Sequence, residues 1–368
     1  MKSVILIKTD VKRYRLTTYA AMTSELAKQG IELRIYYTSA NSIEQAKGDA
    51  TNLNTFFGEY YKAFKLFNSR ILIYNIALRE LLRPDLVILV QSNANVMNLP
   101  IIYLRKLLGK KTALWGHSRN FQGQHNNKFI NALFEAYRQH VNNSPDYWFS
   151  YTDLTTNDLI ERGFNLEKIK TINNSVEITN RWHDYHSING KEPISILFCG
   201  ALYKAKRIDF IIQLAIVLKK HPVEFIISGD GPEFSSIKRM IKDEKLENIT
   251  LTGRIEGDQK DHLFKQADFT IIPGLVGLGI IDSFAYGLPL LTLKSGNHSP
   301  EISYFEHNVN GIYLKDDVED AACQILDLIS DPVRYAEMSQ HSRSCYHKFS
   351  HDDFIQNIVA GVSTCLER

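Results

Sequence analysis

The feature that most limits the fold is an alternation of short β-branched runs with stretches of helical period, repeated along the chain. MKSVILIK opens the sequence, a helical stretch runs from Leu16 to Gly30, and IELRIYYT follows as a strand. Later DLVILVQ and TALWGH stand on either side of a helix around Leu99 to Leu108. Strands separated by helices lie parallel in one sheet, because each crossover returns the chain to the same end. A polar stretch rich in His and Asn, Asn180 to Pro193, interrupts the pattern, which then restarts with ISILFCG, VEFIISGDG, ITLTG, DFTIIP and LPLLTL. The 368 residues suit two cores rather than one. The reading places one α/β domain at residues 1–180, a linker at 181–192, a second doubly wound α/β domain at 193–348, and a helix at 349–368 returning to the first domain. Two domains imply a central cleft. A long helix is expected from Tyr60 to Arg83.

Composition narrows the class. With 44% hydrophobic and 23% charged residues, the chain is neither disordered nor fibrous. No apolar run approaches the roughly 20 residues that cross a bilayer, and the start lacks the pattern of a signal peptide, so a cytoplasmic location is expected. Cys199, Cys323, Cys345 and Cys365 have neither C-x-x-C nor zinc spacing and read as reduced side chains, mostly buried. Residues 1–190 hold 24 Lys+Arg against 16 Asp+Glu, a balance of +8, and residues 191–368 hold 19 against 25, a balance of −6. A basic first half suits a phosphate-bearing substrate or an anionic membrane face, and equally an uneven solvated surface. It carries no nucleic-acid motif.

Ligands of open α/β sheets bind beyond the carboxyl ends of the strands. In FCGALYKAKRIDFII a strand ends in Gly200, and Lys204, Lys206 and Arg207 precede a helix; cations beside helix amides make a phosphate site, although cations also simply solvate loops. In PGLVGLGIIDSFAYGLPLLT, Gly274, Gly277 and Gly279 let a ligand approach backbone N–H groups of Gly277, Leu278, Gly279 and Ile280. Asp282 opens the next helix, where a carboxylate either binds a ribose diol or only complements the helix dipole. SGDGPE reads as a turn.

GALYKAKRID, SGDGPE, LTGRI, PGLVGLGIIDSFAYGLP, SPEI and NGIYL, in this order, resemble the family-4 retaining glycosyltransferases of GT-B fold. The resemblance covers nearly all of residues 193–350 and extends more loosely to Tyr14, Arg15, LWGHSRN and INNSVE. It implies two Rossmann-like domains facing the cleft and a nucleotide sugar, most often UDP-linked, as donor. Lys206, with Arg207 and Lys204, would bind the pyrophosphate, Asp282 the ribose, Arg254 and Ile255 the base, and Glu301 is a further donor contact or only a helix cap. His117 would lie near the reacting sugar, and Tyr14, Arg15 and Arg119 on the acceptor side.

Two departures stand out: Ala201 replaces the usual Arg, and Gly274 replaces the first of two family glutamates, with Asp282 at the second. The PG-x-VGL form is one associated with transferases of bacterial surface polysaccharides, such as lipopolysaccharide or capsule. The implied reaction is metal-independent hexosyl transfer to a glycan or lipid-linked acceptor, without a cofactor beyond the nucleotide sugar; no D-x-D motif is present. The basic, apolar stretch Tyr60 to Arg83 suits peripheral attachment to the inner membrane face, and equally the packing of its apolar side on the sheet. The rivals are a sugar-nucleotide epimerase of the same fold and a non-catalytic nucleotide-sugar-binding protein.

Overall fold

The computed structural model describes residues 1–39, 50–51, 57–66, 71–92, 94–119, 128–178, 187–295 and 297–368. They divide into two compact units, the first formed by the described residues up to Glu177 together with His351–Arg368, the second by Ile178–Ser350.

The strands of the first unit are β1 (Lys2–Ile7), β2 (Val11–Lys12), β3 (Ile31–Tyr37), β4 (Ala50–Thr51), β5 (Gly58–Tyr60), β6 (Ala63–Leu66), β7 (Ile71–Tyr74), β8 (Leu86–Val90), β9 (Lys111–Gly116), β10 (Tyr147–Ser150) and β11 (Ile169–Thr171). Seven of them make a sheet of order β11-β10-β9-β8-β1-β3-β5, parallel throughout. The central strand shows why. Val4 to Ile7 are buried on both faces, so the run is continuously apolar rather than alternating. The helix Leu16–Lys28 ends on Gln29, and Gly30 at φ +72° turns the chain into β3.

The long helix expected over Tyr60 to Arg83 does not form. β6 and β7 pair antiparallel in that stretch, and among its described residues only Leu78–Leu82 is helical. The cause lies in the side chains: ILIY is β-branched and aromatic and buries Leu72 and Tyr74 in alternation, a period of two that also fits a helix when read over a longer window.

The second unit contains β12 (Ile194–Cys199), β13 (Val223–Ser228), β14 (Ile249–Gly253), β15 (Phe269–Ile271), β16 (Leu290–Leu293) and β17 (Gly311–Leu314). Their order is β14-β13-β12-β15-β16-β17, again parallel, so the chain switches direction across the sheet between β12 and β15. The motif NGIYL supplies a sixth strand.

The terminal helix His351–Glu367 packs in the first unit. Phe354, Ile358, Val359 and Val362 join the core around Val4, Leu6 and Trp115, and Lys2 Nζ donates to the Leu366 carbonyl at 2.8 Å. All four cysteines are free thiols, Cys365 buried and Cys323 exposed. Among the described residues no helix is long and apolar enough to cross a membrane.

Candidate functional site

At the carboxyl end of the second sheet, the loops after β12 and β15 meet at the switch point. The first is shaped by SGDG. Gly200 N–H donates to the Ser228 carbonyl and Leu202 N–H to the Asp230 carbonyl, both at 2.9 Å. A Cβ on Gly229 would lie 1.8 Å from the Gly200 oxygen, and one on Gly231 2.4 Å from the Leu202 oxygen. Those glycines are therefore spacers for a close backbone approach.

A single 3₁₀ turn, Lys204–Lys206, follows, and Arg207 takes the left-handed conformation (φ 56°, ψ 45°) to open the helix Ile208–Val217. A non-glycine residue there costs about 1–2 kcal/mol. The second loop fixes this turn. Gly274 N–H donates to the Lys206 carbonyl at 3.1 Å, Leu275 N–H to the Ala205 carbonyl at 2.8 Å, and Lys206 Nζ returns a bond to the Leu275 carbonyl at 2.5 Å. Any Cβ at 274 would sit 2.0 Å from the Ala205 oxygen. Gly274 is thus more than a missing glutamate, since the backbone pairing leaves no room for a side chain.

His298, which sequence reasoning did not single out, clamps the same loop from the other side. Its Nδ1 accepts from Val276 N–H at 3.2 Å and its Nε2 bonds the Leu293 carbonyl at 2.8 Å, which assigns the neutral ring with its proton on Nε2. Burial pushes its pKa below the ordinary 6.5, and the charge of Lys206 adds to the shift. The folded value lies below the unfolded one, so the His298 contribution is present above about pH 6.5 and is lost as pH falls through the folded value. Protonated Nδ1 would meet the Val276 N–H. We expect His298→Ala to melt below the wild type at pH 7, with the gap closing by about 1.4 kcal/mol per pH unit of unequal protonation towards pH 5; parallel melting curves across that range would contradict it.

Asp282 lies in the first turn of the helix Gly279–Ala285 and accepts from Lys260 Nζ at 2.7 Å. Burial alone would lower the Lys260 ammonium, but Asp282, Cys199 and Asp261 together hold its pKa above the ordinary value. Burial also pushes the neighbouring Cys199 thiol up to about 11, so it stays protonated. Of the four loop amides expected to face a ligand, that of Ile280 is taken up within the turn, donating to the Gly277 carbonyl at 3.2 Å. Glu301 is buried in the turn Pro300–Tyr304. Arg254 pairs with Glu256 at 3.0 Å, with Ile255 half-buried beside it.

In the first unit, His117 follows β9; its Nδ1 lies 3.4 Å from Thr155 Oγ1 and its ring centroid 4.8 Å from that of Tyr151. Arg119 is exposed and pairs with Asp158 at 3.4 Å. Tyr14 is exposed, but Arg15 is buried. Its guanidinium donates to the Ser175 carbonyl and Asn174 Oδ1 and lies over the Phe354 ring at 4.9 Å. Arg15, expected to touch an acceptor, instead ties the start of the first long helix to INNSVE and to the terminal helix. Near β3 and β5 a cavity of about 420 Å³ is lined by Arg34, Tyr36, Glu59, Tyr61, Asn75 and Glu80. Burial, with Glu59, pushes the Tyr36 phenol up to about 12.

Residues 179–344 match the family model "Glycosyl transferases group 1". That match lies within the second unit and takes in less than half of the chain. The glycine loop, the cation turn and Asp282 all fall inside that stretch. Among curated proteins, the poly(ribitol-phosphate) alpha-N-acetylglucosaminyltransferase of Staphylococcus aureus is 28% identical over 203 residues, covering 52% of this chain and 39% of its own length. The chain spans about half or less of the length of the curated relatives it matches. Among solved structures, Anabaena HepE in complex with UDP is similar with a TM-score of 0.70 at 14% identity, covering 99% of this chain and 100% of that one. A candidate UDP-N-acetylglucosamine 2-epimerase from Listeria monocytogenes is similar with a TM-score of 0.66 at 14% identity, covering 100% and 97%. The fold is GT-B, which the group 1 signature shares with an epimerase-type neighbour.

Proposed function

We propose that the protein is a retaining, metal-independent hexosyltransferase that moves a hexose or N-acetylhexosamine from a nucleotide sugar, a UDP-sugar by preference, to a glycan or lipid-linked acceptor in surface polysaccharide synthesis. The observation that carries this reading is the joint between the cation turn and the glycine loop at the β12/β15 switch point, which holds Lys206 against Leu275 and Arg207 at a helix start. As the bond between the sugar's anomeric carbon and the diphosphate oxygen breaks, negative charge grows on the leaving group. Lys206, Arg207, Lys204 and the amides of Gly277, Leu278 and Gly279 stabilise that charge in this reading. Asp282 takes the ribose, Arg254 and Ile255 the base, and Gly200 and Glu301 complete the donor contacts. By the family resemblance, His117 serves the reacting sugar, and Tyr14 and Arg119 the acceptor. The preference for UDP and for polysaccharide work is supported by the relatives: UDP is bound in the HepE structure, and an O-antigen biosynthesis glycosyltransferase of Escherichia coli is 25% identical over 167 residues.

The membrane part of the reading now rests on a hairpin rather than a helix. Phe64, Leu66 and Leu78 are exposed, and so are Lys62 and Arg79, apolar and cationic side chains of the kind that suit an anionic lipid surface.

The test is to incubate the protein with a panel of nucleotide sugars and glycan or lipid-linked acceptors, with and without a chelator, and to measure nucleoside diphosphate and glycosylated product. Product formed equally in both conditions supports the reading. Altered donor stereochemistry without release would replace it with an epimerase, and binding without turnover with a non-catalytic protein. Failure to float with anionic liposomes at low salt would remove the membrane part.

A further inference from the structure

We propose that Lys260 is a positioning residue for the donor's ribose, holding the Asp282 carboxylate so that the site distinguishes ribose from 2′-deoxyribose. This rests on the donor-site reading above and adds to it a residue that no motif marks. Lys260 stands in the first turn of the helix Asp258–Gln266. A cation there opposes the helix dipole, which makes the position unfavourable for a lysine by about 0.3–1 kcal/mol. What holds the ammonium there is the 2.7 Å bond to Asp282 Oδ1, from a residue 22 positions away in the chain.

The arrangement solves a problem of reach. Asp282 carries its carboxylate one methylene closer to the backbone than the glutamate of the family pattern. With its side chain only 14% exposed and Oδ1 held, its orientation is fixed, while Oδ2 makes no hydrogen bond among the described residues. The Lys260 ammonium has three donors, of which this bond uses one. The pair therefore offers a fixed acceptor and further donors side by side, the combination that two vicinal hydroxyls satisfy. The frame behind it is stiff: the Tyr286 hydroxyl donates to Asp261, Phe264 stacks on Tyr286 with centroids 5.0 Å apart, and Lys260 Nζ lies 5.6 Å from the Phe264 centroid.

The experiment is calorimetric binding of UDP and ADP, each against its 2′-deoxy counterpart, to the wild type, Lys260→Arg, Lys260→Met, Asp282→Asn and the double variant Lys260→Met/Asp282→Asn. A hydrogen bond to a charged group predicts that the wild type prefers the ribonucleotide by about 10- to 100-fold. Lys260→Met should reduce that ratio to below about threefold, and Lys260→Arg should retain most of it. Should Lys260→Met fail to fold because Asp282 is left uncompensated, the double variant removes that charge and should show the same ratio as Asp282→Asn alone, because Lys260 acts only through that carboxylate. A role in stability alone would lower the melting temperature and leave the ratio untouched. A wild-type ratio in either methionine variant overturns the inference while the donor site stands; no binding of either nucleotide by the wild type overturns the donor site itself.

Discussion

Lys206→Ala should lower turnover with the preferred donor by about 10²- to 10³-fold, the cost of removing one preorganised donor from a developing anion. Lys206 is half-buried, and its ammonium already donates to the Leu275 carbonyl at 2.5 Å. That bond aims the group along the glycine loop. The same bond makes alanine a double lesion, since it removes a charge and frees a carbonyl. The structural part is the smaller one, about 1 kcal/mol for one hydrogen bond, so the melting temperature should fall by only a few degrees. Lys206→Arg keeps the charge but changes its shape, and should fall between. The measurement is nucleoside diphosphate release at saturating donor, set beside a thermal melt of each variant. Wild-type turnover in a folded Lys206→Ala would remove the site assignment.

The second sheet was readable because its strands are short, largely apolar and mostly bounded by glycine, features that depend on neighbours in the chain. The Tyr60 to Arg83 stretch was not, because aromatic and β-branched residues spaced at both two and four positions satisfy either period, and tertiary contacts at Leu72 and Tyr74 decide between them. The site divides in the same way. Lys206, Arg207 and Asp282 lie in motifs whose spacing is local. Lys260 and His298 take their meaning from partners 22 residues away, Asp282 and Val276, and a lone Lys or His in a polar stretch carries no sign of that. Arg15 shows the opposite failure: an arginine in a loop reads as exposed, and only the fold reveals the carbonyl, the amide and the ring that bury it. The glycines were legible as residues but not as reasons. Gly274 looked like ligand-facing flexibility and Gly229 and Gly231 like parts of a turn, whereas each keeps one backbone segment against another.

Gly274→Ala puts that last point to the sharpest test. The new Cβ would lie 2.0 Å from the Ala205 oxygen and 2.7 Å from the Lys206 carbonyl carbon, both backbone atoms with no side-chain freedom to move aside. Relief requires the two loops to part, which breaks the Gly274 and Leu275 amide bonds to residues 206 and 205. Overpacking and two lost hydrogen bonds together amount to about 3 kcal/mol, a fall of about 6–12 °C in the melting temperature of a unit this size. Affinity for a nucleoside diphosphate should drop more than tenfold, because Lys206 moves with its loop. Gly277→Ala provides the control within the same motif: its Cβ would meet only Ser299 Oγ, at an ordinary 3.7 Å, and that variant should melt like the wild type. If Gly274→Ala also melts and binds like the wild type, the loops are not joined as described. If it behaves as expected, Gly274→Glu fails for the same reason, since a glutamate begins with the same Cβ. Restoring the family's carboxylate then requires the turn at Lys204–Lys206 to be rebuilt first, and the sugar of the donor must be read in this protein by other groups.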